Sequence, residues 1–157
     1  MSEKLSHINA DGHAHMVDVS DRAVTERIAS ASGKVLLSAE VLALIANGTA
    51  PKGDVLATAR IAGIMGAKKT SDLIPLCHPI SISSVTVDLA VVGDGVEITS
   101  TVKINDRTGV EMEALTAVSI TALTIIDMVK ALDPGATITN VRVDEKDGGR
   151  NGHWKRS

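Results

Sequence analysis

Acidic and basic side chains stand at both ends of a long apolar segment. Residues 114–126 carry no charge, whereas Glu111 and Glu113 precede this run and Asp127 and Lys130 follow it. So long an apolar run predicts a helix that is buried almost all round, in a core or an interface. An ionised group at the edge of such a helix is costly unless it is paired or functional. These four side chains are therefore candidates for chemistry.

Asp127 and Lys130 are the candidates for proton transfer. They lie three positions apart, so on a helix they are neighbours, although the helix dipole disfavours the carboxylate at that end. Two interpretations stay open: a couple with shifted pKa values, or an ordinary ion pair on a solvated face. Glu113 lies fourteen positions from Asp127, which is ~20 Å along a helix axis. A site that used both carboxylates would be long or would need a second copy of the chain.

A stiff loop presents Cys77 and His78 between Pro75 and Pro79. Pro79 pushes His78 towards extended geometry. His78 is either a hydrogen-bonding group for a phosphate or base, or an ordinary loop histidine. We expect Cys77 to be structural, because a metal would need more ligands and a nucleophilic pair needs spatial proximity.

Cationic side chains in loops form a second candidate set. Lys52 lies beside a glycine, and Lys146 and Arg150 lie in the glycine-rich stretch 146–152. Each alone is an ordinary surface charge, but cations set in flexible backbone suit an anion, and in a net-acidic chain they predict a phosphorylated ligand. Residues 63–70 only superficially resemble a nucleotide P-loop, since the glycine-to-lysine spacing is too short.

The composition indicates one domain of ordinary size. The 157 residues carry a formal net charge of −3, one cysteine, one tryptophan, and neither phenylalanine nor tyrosine. A net-acidic chain without aromatic platforms is a poor binder of nucleic acid. A single cysteine excludes an internal disulfide, and we find no secretion signal and no stretch of membrane-spanning length. We expect a cytoplasmic protein with no nucleic-acid or membrane partner.

The hydrophobic patterns place these candidates on a mixed fold. Residues 1–19 are expected to form an N-terminal arm, and residues 20–157 a single catalytic domain. The predicted elements are strand 24–37, helix 39–46 capped by Ser38, helix 55–69 capped by Asp54, strand 80–92 with a bulge at 83–84, strand 96–104, the long helix, and strand 138–143. This order is typical of an α+β fold: a ferredoxin-like βαββαβ sandwich with an additional helix and an antiparallel sheet. Small residues in the second helix predict close helix packing.

Six blocks of sequence, in one order over nearly the whole chain, carry a family resemblance: residues 6–9, 15–20, 52–63, 72–79, 108–115 and 127–130. They resemble the cyclic pyranopterin monophosphate synthases of molybdenum cofactor biosynthesis, the MoaC family. The departures are few. The stretch 146–152 carries Asp147 and Arg150 where the family more often has serines and a second lysine, and Gly66 stands where alanine is common.

The resemblance implies a ferredoxin-like homohexamer, a trimer of dimers, with active sites at subunit interfaces. The implied substrate is 3',8-cyclo-7,8-dihydroguanosine 5'-triphosphate, supplied by a radical SAM GTP cyclase, and the implied products are cyclic pyranopterin monophosphate and diphosphate. By the same resemblance Asp127 and Lys130 are catalytic. The implied substrate-binding residues are Arg27, Lys52, Lys68, Leu76, Cys77, His78, Met112, Glu113, Lys146 and Arg150.

No cofactor and no protein-bound metal are expected from the resemblance, and a divalent cation accompanying the phosphates stays open. Two other functions are compatible with the sequence. One is a non-catalytic ligand-binding or regulatory oligomer of ferredoxin-like fold, and the other is a purely structural assembly module.

Overall fold

The computed structural model describes residues 8–150 and 152–157. The predicted block at residues 6–9 therefore lies partly outside the described residues. The described chain forms five strands and four helices: β1 (Thr25–Leu36), α1 (Ala39–Ala46), α2 (Val55–Lys68), α3 (Thr70–Leu73), β2 (Ser84–Val92), β3 (Gly95–Asp106), α4 (Glu111–Val129), β4 (Thr137–Asp147) and β5 (Trp154–Lys155).

The strands form one antiparallel sheet in the order β2-β3-β1-β4-β5. β1 runs through the middle, paired with β3 from Thr25↔Asp106 to Leu36↔Gly95 and with β4 on its other side. The first four strands in this order are consistent with the ferredoxin-like α+β fold, so the predicted fold class is confirmed.

Helices α2 and α4 form the second layer, packed on one face of the sheet. Alternate residues of β1 and β3 are buried beneath them, whereas their neighbours face the other side. The helices also approach each other closely, because a Cβ at Gly63 would collide with Thr121 and lie 2.9 Å from the Ala117 carbonyl oxygen. The close packing predicted from the small residues of α2 is thus present.

Side-chain caps fix the starts of two helices as the sequence predicts. Ser38 Oγ accepts a hydrogen bond from the Val41 amide at 3.4 Å, and Asp54 Oδ1 accepts one from the Ala57 amide at 2.9 Å. Helix α4 begins without such a cap, but Glu111 and Glu113 lie in its first turn, where the helix dipole favours negative charge.

Several predicted element boundaries are wrong. The strand expected from residue 80 begins at Ser84, so the phase change at 83–84 marks the strand's start and not a bulge. Helix α2 ends at Lys68, and the short α3 and β5 were not predicted. These elements are too short to show a hydrophobic period, which explains why the sequence does not reveal them.

Helix α4 is less buried than predicted. One stripe, which includes Ala114, Val118, Ala122 and Ile125, is fully buried, but Leu123 is 54% exposed. The helix is also long and apolar enough to cross a membrane by length and composition, so the expectation that no stretch reaches membrane-spanning length is wrong. Its packing against the sheet and α2 explains the apolar run as that of a core helix.

Candidate functional site

Five of the predicted binding residues line one cavity of about 290 Å³, the Glu113 cavity. The loop after α3 contributes three of them, and the first turn of α4 contributes the other two. They are Leu76, Cys77, His78, Met112 and Glu113. The proline-flanked loop thus lies against the acidic start of α4, a contact that sequence spacing alone does not reveal.

Glu113 is the buried acid of this cavity. Only 4% of the surface of Glu113 is exposed to solvent. Burial, with a smaller contribution from the charge of nearby Glu111, raises the pKa of Glu113 from 4.5 to about 7. A carboxyl group poised near neutrality can hold or release a proton under physiological conditions.

Cys77 is kept as a thiol by the same surroundings. Burial raises the pKa of Cys77, and the negative charge of Glu113 adds to the effect. The thiolate is the nucleophilic form, so this environment is the opposite of one that activates a cysteine. The geometry agrees with the structural interpretation of Cys77 as part of a cavity wall.

His78 joins the cavity to the N-terminal segment. Its Nε2 lies 2.8 Å from the carbonyl oxygen of Val17, which requires that this nitrogen carry the proton and donate it. Val17 and Val19 also line the Glu113 cavity. The described part of the predicted arm is therefore a wall of the cavity.

Three predicted cations line an adjoining cavity of about 920 Å³, the Arg27 cavity: Arg27, Lys146 and Arg150. The glycine-rich stretch curls against Arg27, because Gly148 and Gly149 have φ angles of +94° and +79° and a Cβ at Gly149 would collide with the Arg27 guanidinium. This conformation places the described part of the loop around positive charge.

Three residues outside the predicted substrate-binding set join the two cavities. Arg22, Gly109 and Glu111 line both, and Glu111 forms an ion pair of 2.9 Å with Lys146. The Nε atoms of Arg22 and Arg27 are buried without a hydrogen-bond partner among the described residues. Glu111 is a candidate in the sequence because it precedes the apolar run, whereas no motif marks Arg22.

The predicted catalytic pair lies at the other end of α4. Lys130 Nζ donates to Asp127 Oδ1 at 2.7 Å, and Lys52 Nζ donates to the Asp127 carbonyl oxygen at 2.8 Å, lying 3.7 Å from Oδ2. The hydrogen bond from Lys130 and the charges of both lysines lower the pKa of Asp127. Asp127 is therefore an ionised carboxylate at neutral pH, and it is exposed in the single chain, as are both lysines.

The structure does not bring all the predicted residues together. The Lys52, Asp127 and Lys130 cluster is separated from Glu113 by the length of α4, ~20 Å. Lys68 is exposed at the C-terminal end of α2 and lines neither cavity. The predicted site is thus split into two groups within one chain.

No group of three or more histidine, cysteine, aspartate or glutamate side chains suited to a metal ion occurs within residues 8–150 and 152–157. His13 and His15, two residues apart in the sequence, are not part of such a group.

Proteins with assigned names match the chain over nearly its full length. A cyclic pyranopterin monophosphate synthase from Streptomyces avermitilis is 64% identical over 99% of this chain and 91% of its own length. A cyclic pyranopterin monophosphate synthase 2 from Mycobacterium tuberculosis is 59% identical over 99% of this chain and 93% of its own. A cyclic pyranopterin monophosphate synthase from Dinoroseobacter shibae is 58% identical over 96% of this chain and 97% of its own length.

The solved structure of the de novo designed protein Foldit4 aligns with 80% of this chain and 99% of its own at 16% identity, with a TM-score of 0.30, too low to bear on the fold. The model of the MoaC family matches residues 16–149. This span contains the Asp127 cluster, the Glu113 cavity, and every lining residue of the Arg27 cavity except Arg150. With relatives of this identity and coverage, the chain belongs to the MoaC family.

Proposed function

We propose that this protein is a cyclic pyranopterin monophosphate synthase of molybdenum cofactor biosynthesis. It converts 3',8-cyclo-7,8-dihydroguanosine 5'-triphosphate to cyclic pyranopterin monophosphate and releases diphosphate, and it is a phosphorus–oxygen lyase by class. The observation that carries this proposal is the 64% identity, over 99% of the chain, to a relative with that name.

The cationic side chains suit a triphosphate substrate. Arg27, Lys146 and Arg150 line one cavity, and the His78 imidazole, a hydrogen-bonding group, lines the adjoining one. Expulsion of diphosphate leaves negative charge on the departing group, and positioned cations stabilise that charge in the transition state. We assign the same charge-stabilising role to Lys52 and Lys68, which lie outside these two cavities in the single chain.

The acid and base chemistry is assigned to both ends of α4. Rebuilding a guanine-derived ring as a pterin requires proton transfers. Asp127, ionised because its pKa is lowered by Lys130, serves as a base, and the Lys130 ammonium serves as an acid. Glu113, with its pKa raised to about 7, supplies a second carboxyl that can carry a proton.

These groups reach one substrate only if two copies of the chain combine. Within one chain the Asp127 cluster and Glu113 lie ~20 Å apart. We therefore propose that Asp127, Lys130 and Lys52 of one copy face the Glu113 and Arg27 cavities of another. A homohexamer built as a trimer of dimers gives every copy such a partner.

The remaining parts of the proposal concern the surroundings of the reaction. The protein is cytoplasmic and acts after a radical SAM GTP cyclase, which supplies its substrate. No resident cofactor is assigned, and a divalent cation accompanies the phosphates if the protein needs one.

A second function, a non-catalytic ligand-binding oligomer, is favoured by one observation: the Asp127–Lys130 pair is solvated in the single chain, as an ordinary surface ion pair is. The two functions differ in outcome when purified protein is mixed with the cyclised GTP intermediate. A synthase releases diphosphate and forms cyclic pyranopterin monophosphate, both followed by mass spectrometry. Bound but unchanged intermediate would support the binding module instead.

A further inference from the structure

The two-residue strand β5 contacts the segment that carries Lys146. Lys155 pairs with Glu145, and Trp154 pairs with Lys146. The Arg156 amide donates to the Asp144 carbonyl at 2.8 Å, and its Nε donates to the Val143 carbonyl at 2.8 Å. His153 Nε2 lies 2.6 Å from Glu145 Oε1. Four consecutive residues, 153–156, thus bind the four residues 143–146.

Trp154 lies directly opposite Lys146, and directly opposed residues of antiparallel strands project from the same face. Both side chains line a cavity of about 470 Å³, whose wall also includes Glu111 and His153. Lys146 and Glu111 line the Arg27 cavity as well. Lys146 therefore belongs to the walls of both cavities, and Trp154 lines one of them with it.

A lysine side chain is flexible, and holding its ammonium in one place costs conformational entropy. The Glu111 carboxylate holds Lys146 at 2.9 Å from one side. The indole of Trp154 lines the same cavity as Lys146. The Arg156 guanidinium lies 5.5 Å from the centroid of that ring and helps to hold it there.

We propose that Trp154 is a positioning residue that holds Lys146 at the Arg27 cavity for the phosphate chain of the substrate. This rests on the proposed function only for the identity of the substrate, because the anion itself can be tested without turnover. Trp154 acts through Lys146 and makes no contact with the reacting atoms.

Inorganic triphosphate is the probe, titrated into the full chain by calorimetry. Trp154→Ala is expected to raise the Kd for triphosphate about tenfold, the effect of weakening one hydrogen bond between charged groups. With the natural substrate it lowers kcat/KM to a similar degree, because Lys146 holds the phosphate chain both in the bound substrate and in the transition state. Trp154→Phe keeps an aromatic wall and is expected to restore most of the affinity.

The matched control is Lys155→Ala, the neighbour on β5, whose side chain projects from the opposite face and pairs with Glu145 at 3.4 Å. It is expected to leave the Kd unchanged. In a Lys146→Met background, Trp154→Ala is expected to have no further effect, because a residue that acts through another shows no independent contribution.

Equal losses in Trp154→Ala and Lys155→Ala, or full additivity with Lys146→Met, would overturn the assignment. A parent protein that does not bind triphosphate would also overturn it. If circular dichroism shows that Trp154→Ala does not fold, the Kd values of Trp154→Phe and Trp154→Leu for triphosphate are compared instead. Trp154→Phe is expected to bind more tightly, because it keeps an aromatic ring beside Lys146, and equal Kd values would overturn the assignment. A parent protein that binds triphosphate but forms no product would contradict the proposed function and leave this inference standing.

Discussion

The pKa values of two carboxyl groups on α4 are shifted in opposite directions because their surroundings differ. Glu113 is buried beside another acid, which raises its pKa to about 7. Asp127 is exposed beside two lysines, which lower its pKa. At neutral pH one group can donate a proton while the other accepts one, the division of roles that acid–base catalysis requires.

Asp127→Asn is expected to reduce turnover at least about a hundredfold, the lower range for loss of a positioned proton-transfer group. Asparagine has nearly the shape of aspartate and its side-chain oxygen can still accept from Lys130, so the melting temperature and the assembly size are expected to stay as in the parent. Asp72→Asn is the matched control, because Asp72 also forms an exposed i,i+3 pair, with Lys69 at 3.4 Å. Near-normal product formation by Asp127→Asn would remove this residue from the mechanism.

Glu113 makes stability depend on pH. Its pKa is about 7 when folded and 4.5 ordinarily, so between these values the folded state holds a proton that the unfolded state lacks. Stability therefore falls as pH rises from 4.5 to 7, by about 2 kcal/mol after allowance for the open cavity. Above pH 7 the loss is complete.

Glu113→Gln keeps the shape and removes the titration, so its urea unfolding free energy is expected to change less between pH 5 and pH 8 and to exceed the parent's at pH 8. Unfolding is measured at one protein concentration, since assembly contributes to stability. Glu97→Gln, at an exposed position on β3, is the control. A parent whose pH dependence matches that of Glu113→Gln would refute the raised pKa.

At the scale of elements, the correct predictions are those of helices and strands with a clear hydrophobic period or a capping residue. Helices α1 and α2, with Ser38 and Asp54 as caps, and the hairpin of β2 and β3 were predicted because their patterns extend over two turns or several alternations. Elements α3 and β5 were missed because their few residues are fixed by tertiary contacts. The burial of α4 was overestimated for a related reason: composition does not say which stripe of an apolar helix meets the sheet.

The candidate site was predictable only in part. The resemblance named Arg27, Lys146 and Arg150, and the structure gathers them in one cavity. Arg22 belongs to both cavities, but an arginine in a polar segment carries no sequence signal of its own. Its place depends on how the segment before β1 folds back over the start of α4.

The contact between α2 and α4 has no room at Gly63. A Gly63→Ala change improves helix propensity by about 1 kcal/mol but forces the new methyl group into Thr121, so a net loss of about 2 kcal/mol is expected on thermal or urea unfolding. Thr121→Ala removes the colliding oxygen and is expected to recover part of the loss.

Thr124→Ala is the control for this rescue. Thr124 bonds the Ile120 carbonyl at 2.8 Å, as Thr121 bonds the Ala117 carbonyl at 2.7 Å, but it is not among the atoms nearest Gly63. Equal recovery with Thr124→Ala would mean that the steric explanation is wrong.

The described part of the N-terminal arm is held to the loop by His78. His78→Ala removes the 2.8 Å hydrogen bond to the Val17 carbonyl and is expected to speed hydrogen exchange across residues 14–20 at least several-fold. His13→Ala, an exposed position in the same segment, serves as the control. Unchanged exchange in His78→Ala would show that the segment is held by other contacts.

At the scale of the whole molecule, the two ends of α4 raise one question. Asp127 and Lys130 lie ~20 Å or more along α4 from Glu113, whose cavity His78 also lines, too far for one substrate in one chain. A second copy in antiparallel relation would bring the unlike ends together, and a two-fold axis would create two such sites for each pair. A single chain is therefore expected to have no activity.

The most direct measurement is subunit complementation. Asp127→Asn and His78→Ala are each expected to be inactive alone. Co-expressed with two different tags and purified as mixed assemblies, they should recover about one quarter of the parent's rate of diphosphate release, because half of randomly formed pairs are mixed and half of their sites are intact. Mixed assemblies with no activity above that of the separate variants would contradict a site shared between two copies.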